Sequence, residues 1–118
     1  MATIETRDFS QPDETRTPDK TKVELVRFSG GEIGRYTFQP GWRWSECIKP
    51  VVGTESCQVD HIGYMVSGAL HVRNQDGTEA DVKAGSVYRI APGHDAWNAG
   101  SEPAVVVEFQ GAAGYAKA

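Results

Sequence analysis

Three potential metal ligands lie in the middle and second half of the chain, and they define the chemistry that this sequence supports. Cys57 and His61 are separated by three residues, and His94 ends a Pro-Gly-His run. Thiolate and imidazole are the donors that Zn²⁺ and other late divalent transition metals prefer. Three protein ligands leave one coordination position open for water or a substrate, which is typical of catalytic metal sites.

Each of these residues also has an ordinary structural interpretation. A buried histidine is more often a hydrogen-bonded core or pocket residue than a ligand, and a buried cysteine is more often a small apolar side chain. Only two cysteines occur, Cys47 and Cys57, and they flank a short connection. A disulfide between Cys47 and Cys57 is therefore geometrically possible, but we expect free thiols in a reducing compartment.

Aromatic and acidic residues near these ligands are candidates for a binding pocket. Trp42, Trp44 and Glu46 alternate along a predicted strand and would share one of its faces. Glu46 is then a carboxylate ligand or general base, or it simply faces solvent. The tryptophans either line an apolar pocket mouth or belong to the core or a dimer contact. The pocket candidates are Trp42, Trp44, Glu46, Met65 and Trp97.

Two further polar residues have competing interpretations. Asp95, directly after a ligand candidate, either orients the imidazole of His94 or lies at a turn. His71 alternates with apolar neighbours in a predicted strand, so we expect it to face outward and exclude it from the site. No residue is identified as catalytic by the sequence alone.

The pattern of short segments along the chain predicts an all-β domain that positions these residues. From Lys22 onward, β-branched and aromatic runs are interrupted by Gly, Pro, Asn and Asp roughly every 8–12 residues. The sequence Asn-Gln-Asp-Gly at 74–77 is a typical hairpin turn. Only the tail after Gly111 is expected to form a helical turn. The predicted strands are 23–28, 32–38, 42–48, 57–66, 69–74, 80–83, 87–90 and 104–109.

Length, composition and charge restrict the class of protein. A chain of 118 residues fits one domain, and its formal net charge of −4 gives no basic footprint for nucleic acid. No apolar run approaches the roughly 18 residues of a membrane span, and the N-terminus lacks the features of a signal peptide. We therefore expect a cytoplasmic protein without nucleic-acid or membrane partners. The predicted organisation is a polar arm at 1–21, a barrel domain at 22–111 and a tail at 112–118.

The spacing of glycines around the predicted strands resembles the two-motif pattern of the cupin superfamily. Gly68 follows His61 at the spacing of a cupin Glu-x6-Gly, and a hairpin then leads to Gly85 and the Pro-Gly-His run at 92–94. The runs at 40–46 and 92–97 are similar to those of small single-domain cupins. The resemblance covers roughly residues 22 to 111. It implies a double-stranded β-helix, or jelly-roll, barrel whose mouth usually holds one divalent metal on three histidines and a glutamate.

The ligand positions depart from that usual set. Counting back from the motif's glycine, His61 lies where a cupin has glutamate, while Cys57 and Glu55 occupy the two histidine positions. In the second motif the expected position is Ala96, and His94 comes two residues earlier. Because side chains alternate faces along a strand, Cys57, His61 and His94 can still all point into the barrel. The predicted ligands are therefore these three residues, holding Zn, Fe or Ni.

Two functions from different classes follow from these predictions. The first is a small-molecule-binding cupin with one divalent metal, and with an isomerase- or oxygenase-type reaction on a small organic substrate. The second is a metal-free, non-catalytic barrel that binds or senses a small ligand, because a fold alone does not decide between them. A homodimer is expected in either case, since an open barrel exposes strand edges and the polar arm could cover a neighbour's sheet.

Overall fold

Nine β-strands in two antiparallel sheets make up the fold in a computed structural model that describes residues 3–117. Met1, Ala2 and Ala118, at the ends of the predicted arm and tail, lie outside the described residues. The all-β jelly-roll prediction is confirmed. The strands are β1 (Glu14–Arg16), β2 (Thr21–Phe28), β3 (Gly31–Phe38), β4 (His61–Ser67), β5 (Ala69–Asn74), β6 (Glu79–Lys83), β7 (Val87–Ile90), β8 (His94–Trp97) and β9 (Ala104–Gln110).

One sheet has six strands in the order β1-β2-β3-β9-β4-β7, and the other has three in the order β6-β5-β8. Alternate residues of each strand point between the sheets and form the core. In β9 the inward positions are Ala104, Val106 and Glu108, and in β4 they include His61 and Met65. Neighbouring strands of one sheet therefore deliver a histidine and a glutamate to the same interior.

Two short helices replace the strand that was predicted at 42–48, so that prediction was wrong. They are α1 (Trp44–Cys47) and α2 (Lys49–Val52), and Gly53 ends α2 in the left-handed region with φ 78°. Trp44, Cys47 and Ile48 share one face at helical spacing and are buried, whereas Glu46 points away and is exposed. The prediction rested on Trp42 and Trp44, which alternate as in a strand. It overlooked Cys47 and Ile48, which follow Trp44 at helical spacing and are buried with it.

Other strand boundaries agree closely with the sequence pattern. β5 and β7 have the predicted bounds, and the hairpin at 74–77 places Gly77 at a φ of 93°, which a side chain would disfavour. β4 begins at His61 and not at Cys57, which forms an isolated bridge with His94. The sequence did not predict β1 or β8, which have three and four residues.

The N-terminal arm packs on its own chain. β1 pairs with β2, Glu5 accepts hydrogen bonds from the backbone and hydroxyl of Ser29, and the Arg35 guanidinium lies 4.8 Å from the centre of the Phe9 ring. The arm thus covers part of the outer face of its own six-stranded sheet.

Within the described residues, no helix is long and apolar enough to cross a membrane.

The C-terminal residues close one end of the barrel. A 3₁₀ helix (Ala112–Gly114) follows β9, and the ring of Tyr115 is buried and stacked on Tyr36 at 4.6 Å. Arg16 donates hydrogen bonds to the carbonyls of Ala112 and Tyr115. A Cβ on Gly34 would lie only 2.9 Å from the Ala112 side chain, so glycine at this position makes room for the closing segment.

Candidate metal centre

Cys57, His61 and His94 converge in the interior of the barrel. One ligand atom from each lies within 4.8 Å of the others, and all three side chains are buried. His61 and His94 are the first residues of β4 and β8. Two backbone hydrogen bonds fix Cys57 beside β8. The Cys57 N–H donates to the His94 carbonyl at 2.8 Å, and the Gly93 N–H donates to the Cys57 carbonyl at 2.7 Å. The bridge between Cys57 and β8 therefore brings together ligands that are far apart in sequence.

Each imidazole is oriented by a second partner. Nδ1 of His61 lies 2.5 Å from Glu108 Oε1, and Nδ1 of His94 lies 2.8 Å from the Ala91 carbonyl oxygen. A carbonyl only accepts, so Nδ1 of His94 carries a proton and Nε2 is the nitrogen left to face the ion. Nε2 of His61 lies 3.5 Å from the Cys57 Sγ. Histidines that ligate metals have this arrangement, with one nitrogen tied to an acceptor and the other turned to the ion.

Glu108 is itself held by a tyrosine. The Tyr88 hydroxyl donates to Glu108 Oε2 at 2.5 Å, and burial, together with the charge of Glu108, raises the pKa of Tyr88, which stays protonated. A Cβ on Gly63 would lie 2.7 Å from the Tyr88 oxygen. Glycine at this position of β4 is what allows the hydroxyl to reach the carboxylate. The sequence therefore builds a chain from Tyr88 through Glu108 and His61 to Cys57.

The electrostatics of this chain favour a thiolate at Cys57. Burial raises the pKa of Cys57, but hydrogen bonds with His61 and His94, and their charges, outweigh burial and lower the pKa to about 6. Burial likewise lowers the pKa of His61, but its hydrogen bonds to Cys57 and Glu108 raise the pKa to about 9. Metals bind the thiolate and neutral imidazole, so loading an ion would release the proton that His61 holds. The donor set fits a borderline divalent metal.

A small chamber of about 30 Å³ adjoins the two histidines and is lined mainly by apolar and aromatic side chains. Trp42 and Trp44 line this chamber, and neither indole N–H has an acceptor among the described residues. An unpaired buried donor costs roughly 1–3 kcal/mol. A chamber of about 30 Å³ has room for water but not for a molecule the size of benzene, which needs roughly 150 Å³.

The structure separates the predicted pocket residues into two groups. Trp42, Trp44 and Met65 line the chamber. Glu46 is exposed on α1, and Trp97 lies on the outer face of the three-stranded sheet, where the Arg43 guanidinium is 4.3 Å from its ring centre. Neither of these two residues lines the chamber.

The remaining polar candidates have structural roles. Asp95 does not orient His94, because its carboxylate accepts hydrogen bonds from the Ser45 N–H and the Arg43 side chain. It therefore fixes the first turn of α1. Cys47 and Cys57 are both free thiols. His71 lies outside the site, as expected, between carboxylates of β6.

Sequence reasoning missed Glu108, Tyr88 and Tyr115. A signal for Glu108 was available, because Ala104, Val106 and Glu108 alternate on one face of a strand whose other inward residues are apolar. An acid at such a position is seldom buried without a partner. Tyr115 gave no comparable signal, since it follows the last strand in a short tail.

Comparison with solved structures gives the fold. A cupin domain from Bordetella pertussis Tohama I matches with a TM-score of 0.54 at 16% identity, over 80% of this chain and 96% of that chain. The cupin domain of CENP-C from Drosophila melanogaster matches with a TM-score of 0.61 at 12% identity, over 90% and 84%. The protein has the cupin fold. KdgF from Halomonas sp. also matches, with a TM-score of 0.57 at 18% identity, over 83% and 87%.

These likenesses establish the fold of the protein and leave its chemistry to its own residues. No protein-family model matches the sequence, and no curated protein matches it. The identities lie below the range in which a site is transferred between structures. The chemistry of the protein therefore depends on Cys57, His61 and His94 and the groups that hold them.

Proposed function

We propose that this cupin holds one divalent transition metal, Zn, Fe or Ni, on Cys57, His61 and His94 and binds a small organic molecule beside it. The observation that carries the proposal is the convergence of three buried donor atoms within 4.8 Å, with each imidazole tied to an acceptor through Nδ1. Three protein ligands leave a position for water or a substrate.

The reaction class that fits such a centre is isomerase- or oxygenase-type. A bound metal would supply Lewis-acid or dioxygen chemistry to the organic molecule. The chain's own residues do the positioning: Glu108 holds the Nδ1 of His61, so that Nε2 faces the thiolate, and the Ala91 carbonyl does the same for His94. The aromatic walls at Trp42 and Trp44 exclude bulk water.

A second candidate is a metal-free barrel that binds or senses a small ligand. It is favoured by the hydrogen-bond chain itself, since Cys57, His61 and Glu108 satisfy one another without an ion. In that state the thiolate and the imidazolium form a buried ion pair. Such a site would recognise a ligand by hydrogen bonds and would need no Lewis acid.

Metal content separates the two candidates. Protein purified without a metal-affinity tag or chelator should contain nearly one equivalent of Zn, Fe or Ni by elemental analysis. His61→Ala and His94→Ala should each lose most of the metal while keeping the circular dichroism of the fold, because one of three ligands is gone. His71→Ala is the matched control and should keep it. A protein that is metal-free and cannot be loaded would contradict the metal proposal and support the second candidate.

We also propose that the protein acts as a cytoplasmic homodimer. Support comes from the outer face of β4, β7 and β9, where Ile62, Tyr64, Val66, Val87 and Phe109 are exposed, Val87 by 79%. Apolar patches of this kind are typical of protein contacts. Light scattering should give twice the 12.8 kDa mass of one chain. Val87→Lys should reduce the measured mass to that of the monomer, whereas deletion of residues 3–13 should leave the dimer intact. A wild-type monomer at tens of micromolar would contradict the proposal.

A further inference from the structure

A second cavity, of about 220 Å³, adjoins the candidate metal centre on its Cys57 side. It lies between the segment that follows α2 and the C-terminal residues. Cys57 lines this cavity, whereas His61 and His94 line the 30 Å³ chamber. Trp44 and Tyr115 line both spaces and therefore stand between them. The proposed metal thus borders two spaces of very different size.

Volume decides which space can take an organic molecule. The chamber, at about 30 Å³, has room for water only, and its walls belong to the packed core. An apolar cavity of roughly 150 Å³ in another protein binds benzene, so 220 Å³ takes a ring of that size with a short substituent. The larger cavity is the one from which such a molecule reaches the Cys57 side of the centre.

The lining of the cavity indicates the chemistry of the molecule. Ile48, Val52 and Val59 supply apolar walls. Lys117, an exposed residue, also lines the cavity, and no carboxylate among the described residues does. One cation and no carboxylate around an apolar space favour an anionic head group on an apolar body.

We infer that this cavity is the binding site of the organic ligand and that the ligand is a small carboxylate with an apolar body. The carboxylate would pair with Lys117, and the body would pack on Val52 and Val59. The inference rests on the proposed function, because it assigns the ligand to the space beside the proposed metal. It adds the location of the ligand, its approximate size and its charge.

Benzoate and benzamide are matched probes, since they share size and shape and differ in charge. Each is titrated into the zinc-loaded full chain and followed by ¹H–¹⁵N correlation spectra. We expect benzoate to bind more tightly and to shift amides of 48–59 and 114–117. Lys117→Met should weaken benzoate binding about two- to fivefold and leave benzamide unchanged, as for a partly exposed ion pair. Lys83→Met, on the exposed edge of β6, is the control and should change neither.

Val52→Trp gives the second arm of the test by filling the cavity. It should abolish the binding of both probes while the spectrum stays dispersed. Shifts confined to the separate cavity beside β6 and β7, equal affinity for both probes, or benzoate binding that survives both Lys117→Met and Val52→Trp would overturn the inference. Zinc content, measured in the same samples, distinguishes failure of this inference from failure of the metal proposal. Loaded protein that binds neither probe contradicts only the inference, whereas zinc-free protein that binds benzoate here contradicts only the metal proposal.

Discussion

Two histidines of this protein face carboxylates, one inside the barrel and one on its outer surface. His61 contacts Glu108 with both side chains about 5% exposed or less. His71 contacts Glu79 and Asp81, whose side chains are 48% and 61% exposed. The pKa of each histidine is raised. For His61, against the effect of burial, hydrogen bonds to Cys57 and Glu108 raise the pKa. For His71, direct hydrogen bonds to Glu79 and Asp81 raise the pKa at an exposed site. A contact between a histidine and a carboxylate therefore does not by itself mark a functional site. Burial of the contact and its further hydrogen-bond partners do.

The largest expected effect comes from breaking the inner pair. Glu108→Ala leaves His61 buried without its carboxylate and Tyr88 without an acceptor, so we expect a loss of about 3–5 kcal/mol in the free energy of unfolding. Urea denaturation measures it. Asp81→Ala is the control at the outer histidine and should change the midpoint far less. Equal midpoints for the two variants would contradict the comparison.

A smaller effect is expected on the affinity for metal. Glu108→Gln keeps an oxygen near His61 Nδ1 but removes the charge that orients and polarises the ring. Substitutions of such outer partners typically lower metal affinity about 10- to 100-fold. Competition with a chromophoric chelator measures the change, and Asp81→Asn should bind metal like the wild type. Unchanged affinity in Glu108→Gln would show that Glu108 serves stability alone.

The pH dependence of Cys57 sharpens the comparison in metal-free protein. Its folded pKa of about 6 lies below the ordinary value of 9.0, so its contribution to stability is full above 9.0 and is lost as the pH falls through about 6. His61 behaves oppositely, with a contribution that is full below 6.5 and lost as the pH rises through about 9. The two slopes oppose each other between about 6.5 and 9, so we expect the pair to change stability little there.

Thiolate absorbance at 240 nm reports Cys57 directly. We expect a midpoint near 6 in chelator-treated wild type that disappears in Cys57→Ser. In His61→Ala the midpoint should move upward, because the hydrogen bond and the charge of His61 are removed while burial remains. A wild-type midpoint at or above the ordinary value would contradict the proposed thiolate.

The smallest effect is expected at the outer histidine. Asp81→Asn and Glu79→Gln should each lower the His71 pKa toward 6.5, since each removes one hydrogen-bonded carboxylate. Because the folded pKa is raised, the contribution to stability is present below 6.5 and lost as the pH rises through the folded value. Proton NMR titration of the ring measures the shift. Added salt should reduce it, because the cluster is open to solvent.

The class of fold and most of the strands could be predicted from the sequence alone. Period-two alternation of β-branched residues and the turn residues between them act locally, so β5, β7 and the hairpin at 74–77 were predicted with correct bounds or nearly so. The same local pattern misled at 42–48, where two tryptophans alternate as in a strand. There the contact between Asp95 and the Ser45 N–H, fifty positions away in sequence, fixes a helical turn.

The candidate centre divides in the same way. Residue types and the cupin resemblance pointed to Cys57, His61 and His94, because donor chemistry is a property of the side chain. Only the tertiary structure brought Glu108, Tyr88 and Tyr115 to them, since sheet order places β9 beside β4 and the C-terminal residues turn back into the barrel. Contacts between distant segments bury His61 and give it hydrogen-bond partners that raise its pKa. Such contacts form only when the two sheets pack together.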